Sequence, residues 1–247
     1  MNTMIRRYEE ISNNAWPALQ TFLYDGWSLR LAKGVTKRSN SVSMIYPSTL
    51  DPVEKINWCE ALFLKHSVTP CFKITEITDP PELDSLLEQR GYSMHSVVSF
   101  QTMEIASLRT GTDPDGIIRQ QLTEPWLGRF VVMNRFDPGR IPVYQAIMEQ
   151  IITPCCFASV VKNGQIIAVG LGVLEGQFLG IFDLVVDPDF RRHGLALRIM
   201  HTILAWGKNN GASDAYLQVL TGNTPALRLY DQMGFRELYR YWYRMKG

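Results

Sequence analysis

The order of segments in the C-terminal half of the sequence constrains the fold most strongly. Residues 177–186, QFLGIFDLVV, form an almost continuous apolar run typical of a strand. Residues 195–212 then carry apolar side chains at helical spacing and reach Gly211, where a helix would end. Residues 214–222 return to strand-like sequence. This order predicts an α/β fold in which helices cross over a mixed sheet.

The other segments of the C-terminal half fit the same fold class. Two helical stretches precede a β-hairpin, and a last helix precedes a final pair of strands; these segments cover residues 124–136, 141–152, 155–175, 223–234 and 235–246. Asn163-Gly164 suits a type I′ turn between the two hairpin strands. Asn223 is a candidate N-cap of the last helix, and Gly234 is its candidate C-terminal glycine.

The N-terminal half repeats this order in shortened form. Its extended and helical segments cover residues 26–34, 38–46, 51–67, 69–77, 80–91 and 92–105. Aligning PELDSLLEQRGY with PALRLYDQMGF on Gly91 and Gly234 places each helix after a polar turn and before a strand. The sequence therefore predicts a degenerate duplication of two halves, 1–108 and 109–247. The turn-rich residues 107–120 contain the boundary.

Composition narrows the class of partner. The chain has 247 residues, a formal net charge of +1 and a pI near 7.7, so it lacks the basic footprint of nucleic-acid or anionic-membrane binding. It shows neither a secretory leader nor a long apolar span, and we expect a cytoplasmic protein with a small-molecule partner. The four cysteines have no metal-binding spacing and are interpreted as buried reduced thiols, with a reactive thiol as the alternative: Cys59, Cys71, Cys155 and Cys156.

The junction VVDPDFRRHGLALRIM, residues 185–200, predicts a phosphate site. A glycine-containing turn that leaves a strand and opens a helix presents unpaired N–H groups and the positive end of the helix dipole. Asp187-Pro188 turns the chain, and Gly194 lets an anion approach the backbone. Three basic side chains add positive charge: Arg191, Arg192 and His193. The stretch has neither GxxxxGK[ST] nor GxGxxG, which argues against nucleotide hydrolysis and hydride transfer.

Two motifs in order carry a resemblance to a known family. R-x-x-G-x-A in RRHGLA, followed by N-x-x-A-x-x-L-Y-x-x-x-G-F from Asn223 to Phe235, resembles the GNAT superfamily of acyl-CoA-dependent N-acyltransferases. The resemblance covers residues 117–246 in detail. The whole chain is similar to a bacterial branch in which a reduced GNAT-like half precedes the active one. The resemblance implies a GNAT fold, acetyl-CoA as co-substrate and no metal.

The resemblance also assigns coenzyme-binding residues. It implies that residues 183–186 splay from the neighbouring strand and that their backbone binds the pantetheine amides. Backbone amides of the following turn would bind the pyrophosphate. Asn223 would meet the coenzyme from the start of the next helix, although an N-cap role explains it equally well. The implied coenzyme-binding residues are Val185, Val186, Arg191, Arg192, His193, Gly194, Leu195, Ala196 and Asn223.

Catalytic roles follow from the same resemblance. Tyr230 would donate a proton to the departing CoA thiolate. Asp183 is our first choice of general base, with Glu175 and His193 as alternatives, and an acceptor of low pKa would need no base. In the N-terminal half Leu87 stands at the position of Tyr230, and YPSTLDPVEK replaces the pyrophosphate turn, so we expect this half to be a scaffold or a wall of the acceptor pocket.

The acceptor is the least determined part of the prediction. We expect direct acetyl transfer to a primary amine, a small molecule or an amino acid. A protein N-terminus or lysine and a non-catalytic acyl-CoA sensor are the alternatives. In the last strand, Tyr239, Tyr241 and Tyr243 alternate with Arg240, Trp242 and Arg244. Two interpretations are open: one face of the strand lines an acceptor slot, or the aromatic rings pack between the two halves. Asp137 is a candidate ligand for the ammonium group, and the oligomeric state stays open.

Overall fold

The computed structural model describes residues 1–105 and 116–247, which form two compact units. The first unit comprises Met1–Phe100, Val219–Asn223 and Glu237–Gly247, and the second comprises Gln101–Gln218 and Thr224–Arg236. The sequence predicts contiguous halves, with a boundary between residues 108 and 109 that lies outside the described residues. The units differ from those halves because the C-terminal strand packs with the N-terminal residues.

The first unit is a sheet with three helices. Its strands lie in the order β1-β2-β3-β4-β11-β5, and β5 contributes residues 92–100 to this unit. β3 and β4 are parallel and flank α2, so β3-α2-β4 is a crossover unit. The elements are α1 (Asn2–Ala15), β1 (Gln20–Tyr24), β2 (Trp27–Leu31), β3 (Val42–Met44), α2 (Pro52–Lys65), β4 (Cys71–Ile74), α3 (Leu83–Gln89), β5 (Tyr92–Glu104) and β11 (Arg236–Lys246).

The two faces of this sheet bury different chemistry. One face carries the apolar core shared with α2 and α3, which includes Trp27, Val42, Ile56, Phe63, Phe72, Leu83 and Leu87. Alternation along β4 directs Lys73 to the other face. There α1 supplies Glu9, which accepts hydrogen bonds from the Lys73 ammonium at 2.7 Å and from the Tyr239 hydroxyl at 2.6 Å. Buried charges of opposite sign thus attach the N-terminal helix to the sheet.

Three elements of the first unit differ from the sequence prediction. No helix or strand is predicted before residue 26, whereas α1 and β1 lie there. The helical spacing of Ile5, Tyr8 and Ile11 along the buried side of α1 is the sequence signal for that helix. The predicted final strand pair is one strand, β11, because no turn residue interrupts the alternation of its buried tyrosines.

The second unit has the predicted mixed sheet. Its strands lie in the order β5-β10-β9-β8-β7-β6, with residues 101–104 of β5. Asn163 and Gly164 have φ of 51° and 76°, which confirms the predicted type I′ turn of the β7–β8 hairpin. The elements are β6 (Gly116–Arg119), α4 (Glu124–Asn134), α5 (Ile141–Glu149), β7 (Cys155–Lys162), β8 (Gln165–Glu175), β9 (Phe178–Val186), α6 (Leu195–Asn209), β10 (Asp214–Leu220) and α7 (Thr224–Gln232).

Helix α6 approaches the sheet closely because β8 carries glycines below it. A Cβ atom at Gly170 would lie 2.6 Å from Ile199, and one at Gly172 would lie 2.7 Å from Ile203. Both isoleucines are fully buried. β9 and β10 are parallel, so β9-α6-β10 is the second crossover unit of the chain. The close contact fixes the helix over β8 and thereby fixes the turn that enters it.

Candidate active site

Strand β9 separates from β10 halfway along its length. The observed parallel pairs join Phe178–Ile181 to residues 214–217, and no further pair with β10 occurs within the described residues. On the other side, pairing with β8 is irregular between Phe182 and Val185, where Asp183 adopts φ of 53°. Val185 and Val186 pair with β8 again. Their opposite backbone edge therefore has no strand partner among the described residues and is suited to an extended ligand.

The turn from β9 into α6 presents backbone amides in a positively charged surrounding. Pro188–Phe190 forms a short 3-10 helix, Arg192 has φ of 63°, and Gly194 has φ of 73° at the N-cap position of α6. No side chain in the described part of the chain caps this helix. Its first-turn amides therefore remain open to an anion.

The side chains of this turn reinforce its affinity for anions. Arg191, Arg192 and His193 are exposed, whereas Leu195 is buried and Ala196 half-buried. Neither arginine forms an ion pair with a carboxylate in residues 1–105 or 116–247. The His193 ring nitrogen Nδ1 lies 3.3 Å from the carbonyl oxygen of Phe190. Two guanidinium groups and a row of amides fit a polyanion such as a pyrophosphate.

Tyr230 lies on α7 and is 9% exposed. Its ring contacts Phe235 at a centroid distance of 6.0 Å, and no described residue hydrogen-bonds to its hydroxyl. Burial raises the pKa of Tyr230 to about 12, so the phenol stays protonated near neutral pH and is a hydrogen-bond donor. Asn223 is exposed and directly precedes α7; its N–H donates to the Leu220 carbonyl at 2.9 Å.

The candidate bases occupy different surroundings. Asp183 is half-buried at the irregular position of β9, and Glu175 is half-buried at the end of β8. Asp183 thus lies on the strand that leads directly to Val185 and the turn. Asp137, the candidate ammonium ligand, is exposed and accepts a hydrogen bond from the Gly139 amide at 2.9 Å. Its present contact is the cap of the short 3-10 helix Pro138–Arg140.

The cysteines do not form a nucleophilic site. Burial raises the pKa of Cys156, and the pKa of the half-buried Cys155 is raised for the same reason. Burial also raises the pKa of Cys59 and of Cys71 to about 12. A thiol needs a lowered pKa to be a reactive nucleophile near neutral pH. Cys59, Cys71 and Cys156 are buried as expected, whereas Cys155 is half-buried, and none of the four has the lowered pKa of a reactive thiol.

The arginine face of β11 binds carboxylates of its own unit. Arg244 donates to both Asp84 carboxylate oxygens at 2.8 Å, and the Trp242 indole donates to Asp84 at 2.8 Å. Arg240 pairs with Glu237 at 2.9 Å. The opposite face consists of the buried residues Tyr239, Tyr241 and Tyr243. Both faces therefore have structural contacts inside the first unit.

Sequence reasoning missed Arg129 on α4. Its guanidinium contacts the Asp187 carboxylate at the beginning of the turn and donates to the Ile166 carbonyl at 2.9 Å. These partners are 58 and 37 residues away in sequence, so no local motif marks the residue. Sequence reasoning also missed a cavity of about 690 Å³ beside β6 and the start of α4, which none of the predicted site residues lines.

No helix in residues 1–105 or 116–247 is long and apolar enough to cross a membrane. The same residues contain no group of three or more His, Cys, Asp or Glu side chains arranged to hold a metal ion.

A family model and one known protein match the chain over almost its full length, and a second known protein matches part of it. The family model described as "Probable histone acetyltransferase Rv0428c C-terminal" matches residues 2–244. The uncharacterized N-acetyltransferase YobR of Bacillus subtilis (strain 168) is 29% identical over 249 residues, 98% of each chain. The ribosomal protein bS18-alanine N-acetyltransferase of Escherichia coli (strain K12) is 28% identical over 76 residues, which are 31% of this chain and 51% of that protein.

Solved structures confirm the predicted fold. A GCN5-related N-acetyltransferase from Kribbella flavida has a TM-score of 0.70 at 14% identity and covers 98% of this chain and 95% of its own. A tandem GNAT protein from the clavulanic acid biosynthesis pathway has a TM-score of 0.63 at 12% identity, and the match covers 97% of this chain and 87% of that protein. Both likenesses show the GNAT fold. Since the family model matches almost the whole chain, the chain belongs to the Rv0428c acetyltransferase family and is a GNAT-type N-acetyltransferase, as its motifs predict.

Proposed function

We propose that this chain transfers acetyl from acetyl-CoA and binds the coenzyme where β9 ends and α6 begins. GNAT acetyltransferases use acetyl-CoA. One observation carries the assignment to these residues. The pairing of β9 with β10 ends at Ile181, and the same strand then runs through Val186 into the turn with Arg191 and Arg192 and the uncapped N-terminus of α6 at Gly194. An open strand edge followed by an anion-binding turn matches a ligand with amides at one end and a pyrophosphate at the other.

Each part of this junction has a role in the proposal. The free backbone edges of Val185 and Val186 bind the pantetheine amides as an added strand would. The amides of residues 192–196, including those of His193, Gly194 and Leu195, bind the pyrophosphate. Arg191 and Arg192 strengthen that contact with charge-assisted hydrogen bonds.

The chemical step is direct transfer. The acceptor nitrogen attacks the thioester carbonyl, the C–S bond breaks, and the sulfur takes the proton of the Tyr230 hydroxyl. The protonated phenol supports this role, because a phenolate has no proton to donate. Asp183 accepts the proton that the nitrogen loses, with Glu175 and His193 as alternatives. The raised pKa values of the cysteines favour a ternary complex over an acyl-cysteine intermediate.

The acceptor in this proposal is a small primary amine or an amino acid. A protein amine is the second candidate, because the partly matching Escherichia coli protein is named an acetyltransferase for an alanine of ribosomal protein bS18. A non-catalytic acyl-CoA sensor is less favoured, since binding alone needs no phenol at the position of Tyr230.

We also propose that the first unit is a GNAT-like repeat that lacks a coenzyme site. Its crossover β3-α2-β4 has the same order and the same parallel pairing as β9-α6-β10. The buried Leu87 of α3 replaces Tyr230 of α7, so this repeat offers no phenol for a thiolate.

Release of CoA thiol from acetyl-CoA tests the proposed function. The acceptors are amino acids of both hands, polyamines, aminoglycosides and short peptides with free N-termini. We expect a small amine to give thiol release with sequential kinetics. Reaction with peptides alone would establish the protein-acceptor alternative. Failure of the chain to bind CoA in calorimetry would overturn the coenzyme site itself.

A further inference from the structure

The Arg129–Asp187 pair stands out among the polar contacts that the proposed chemistry does not use. Arg129 lies in the middle of α4, and Asp187 is the residue between β9 and the turn that enters α6. The pair is partly buried, with side chains 23% and 13% exposed. Nε of Arg129 donates to the Ile166 carbonyl at 2.9 Å while Nη2 contacts Oδ2 of Asp187. One guanidinium thus joins the start of β8 to the end of β9.

Asp187 in turn organises the beginning of the phosphate turn. Its N–H donates to the Ile167 carbonyl at 2.9 Å, and its carbonyl accepts from the Phe190 amide at 2.9 Å. Its second carboxylate oxygen, Oδ1, accepts from the Asp189 amide at 3.1 Å. The two carboxylate oxygens are divided between Arg129 and the turn, so the guanidinium determines how the carboxylate faces the turn.

Charge gives Arg129 a second effect on this site. A carboxylate at the entrance of a turn that receives a pyrophosphate opposes anion binding by like-charge repulsion. Arg129 compensates the charge of Asp187 directly, because its guanidinium forms an ion pair with this carboxylate. Arg191 and Arg192 then act on the anion without competition from Asp187.

We infer that Arg129 is a positioning residue for the coenzyme: through Asp187 it orients the phosphate turn and neutralises the carboxylate beside it. This inference rests on the proposed function, because it concerns how the same turn binds CoA. Arg129 does not itself touch the coenzyme in this inference. Its loss should therefore affect ligands that carry a pyrophosphate and spare those that do not.

The test compares, in one set of variants, the binding of CoA with the use of an acyl donor that lacks the pyrophosphate. For Arg129→Met we expect the Kd of CoA to rise about 10-fold to 100-fold, as loss of a charge-assisted pair implies. The kcat/KM for S-acetylpantetheine, which has no pyrophosphate, should change less than about 2-fold. Arg129→Lys should recover most of the CoA affinity. Arg236→Met, which removes the exposed pair with Asp231, is the matched control and should bind CoA as the parent chain does.

A double variant separates charge from geometry. Arg129→Met combined with Asp187→Asn removes the negative charge that Arg129→Met leaves unpaired, and it keeps an oxygen that accepts from the Asp189 amide. We expect it to bind CoA at least about 5-fold more tightly than Arg129→Met alone. Unchanged CoA affinity in Arg129→Met, or a loss in kcat/KM for S-acetylpantetheine as large as the loss in CoA affinity, would overturn the inference while the coenzyme site stands. Failure of the parent chain to bind CoA would overturn the proposed function instead.

Discussion

The strand-to-helix turns of the two crossover units have opposite electrostatics. In the first unit the turn between β3 and α2 encloses the Asp25 carboxylate, which accepts hydrogen bonds from the amides of Thr49 and Leu50 at 2.9 and 2.8 Å. The Thr49 hydroxyl and the Lys55 ammonium donate to the same carboxylate at 2.9 and 3.0 Å. The Asp51 side chain caps α2. In the second unit the corresponding turn contains Arg191 and Arg192, and α6 has no such cap.

The same strand-to-helix turn can thus be closed by an internal acceptor or left open. Amides at the start of a crossover helix need an acceptor, and in the first unit an internal carboxylate supplies it. In the second unit the acceptor must be solvent or a ligand, because no described side chain caps the helix. The helices that follow the two crossover units, α3 and α7, also differ. Leu87 of α3 is buried in an apolar core, whereas Tyr230 of α7 carries a phenol. The first unit therefore has the crossover topology of the second without its open turn or its phenol.

Among the variants that test this difference, Gly194→Glu should have the largest effect, a loss of CoA affinity, because it adds a carboxylate to the open turn. We expect CoA affinity to fall at least about 100-fold through charge repulsion and the loss of left-handed backbone freedom. Gly211→Glu, at a positive φ beyond the other end of α6, is the matched control for charge and strain. Calorimetry measures both variants, and CoA affinity within 3-fold of the parent in Gly194→Glu would refute the open-turn assignment.

Tyr230→Phe tests the contrast between α7 and α3. Loss of the proton donor should lower kcat about 100-fold while the Kd of CoA stays within about 2-fold. Steady-state kinetics and calorimetry on the same preparation separate the two quantities. Tyr239→Phe, which removes a phenol bound to Glu9 in the first unit, is the control and should keep kcat. An unchanged kcat in Tyr230→Phe would assign the proton to water.

The double variant Arg191→Ala/Arg192→Ala makes the open turn less cationic while its amides remain. We expect the Kd of CoA to rise about 10-fold and its dependence on salt concentration to weaken, since two exposed cations are removed. Calorimetry at two salt concentrations measures this change. A salt dependence identical to that of the parent chain would show that neither guanidinium meets the anion.

Asp25→Ala opens the closed turn. The buried Lys55 ammonium and the two amides lose their acceptor, so the Tm should fall by a few degrees. Inorganic phosphate should restore part of this loss more effectively than sodium chloride of equal ionic strength, because the vacated turn then resembles an anion site. Asp51→Ala, which removes the cap of α2, is the comparison variant. A Tm equal to that of the parent chain would contradict the role of Asp25.

The pH dependence of stability should show the smallest effect. Hydrogen bonds from the Leu50 and Thr49 amides and from Lys55 lower the pKa of Asp25 below its usual 3.8. A carboxyl with a lowered folded-state pKa stabilises the fold above its unfolded pKa and loses that effect as the pH falls. The Tm difference between the parent chain and Asp25→Asn should therefore be constant above about pH 5 and shrink below about pH 4. A difference that grows on acidification would have the wrong sign.

Most of the local structure follows from short-range signals in the sequence. Periodic apolar residues predicted α2 to α7 and most strands, and Asn163-Gly164 predicted its turn, because these signals depend on neighbours within a few residues. The motif from Arg191 to Ala196 predicted the uncapped glycine turn for the same reason. The family followed from two such motifs in order.

Which distant side chains contact each other depends on the tertiary structure. Asp25 and Leu50 are 25 residues apart, and Arg129 and Asp187 are 58 apart, so no local pattern shows that one turn is closed and that the other is supported from α4. The placement of Glu237–Gly247 in the first unit likewise depends on pairing with β4. Backbone propensity acts over a few residues, whereas ion pairs and strand pairing act through space once the chain has folded.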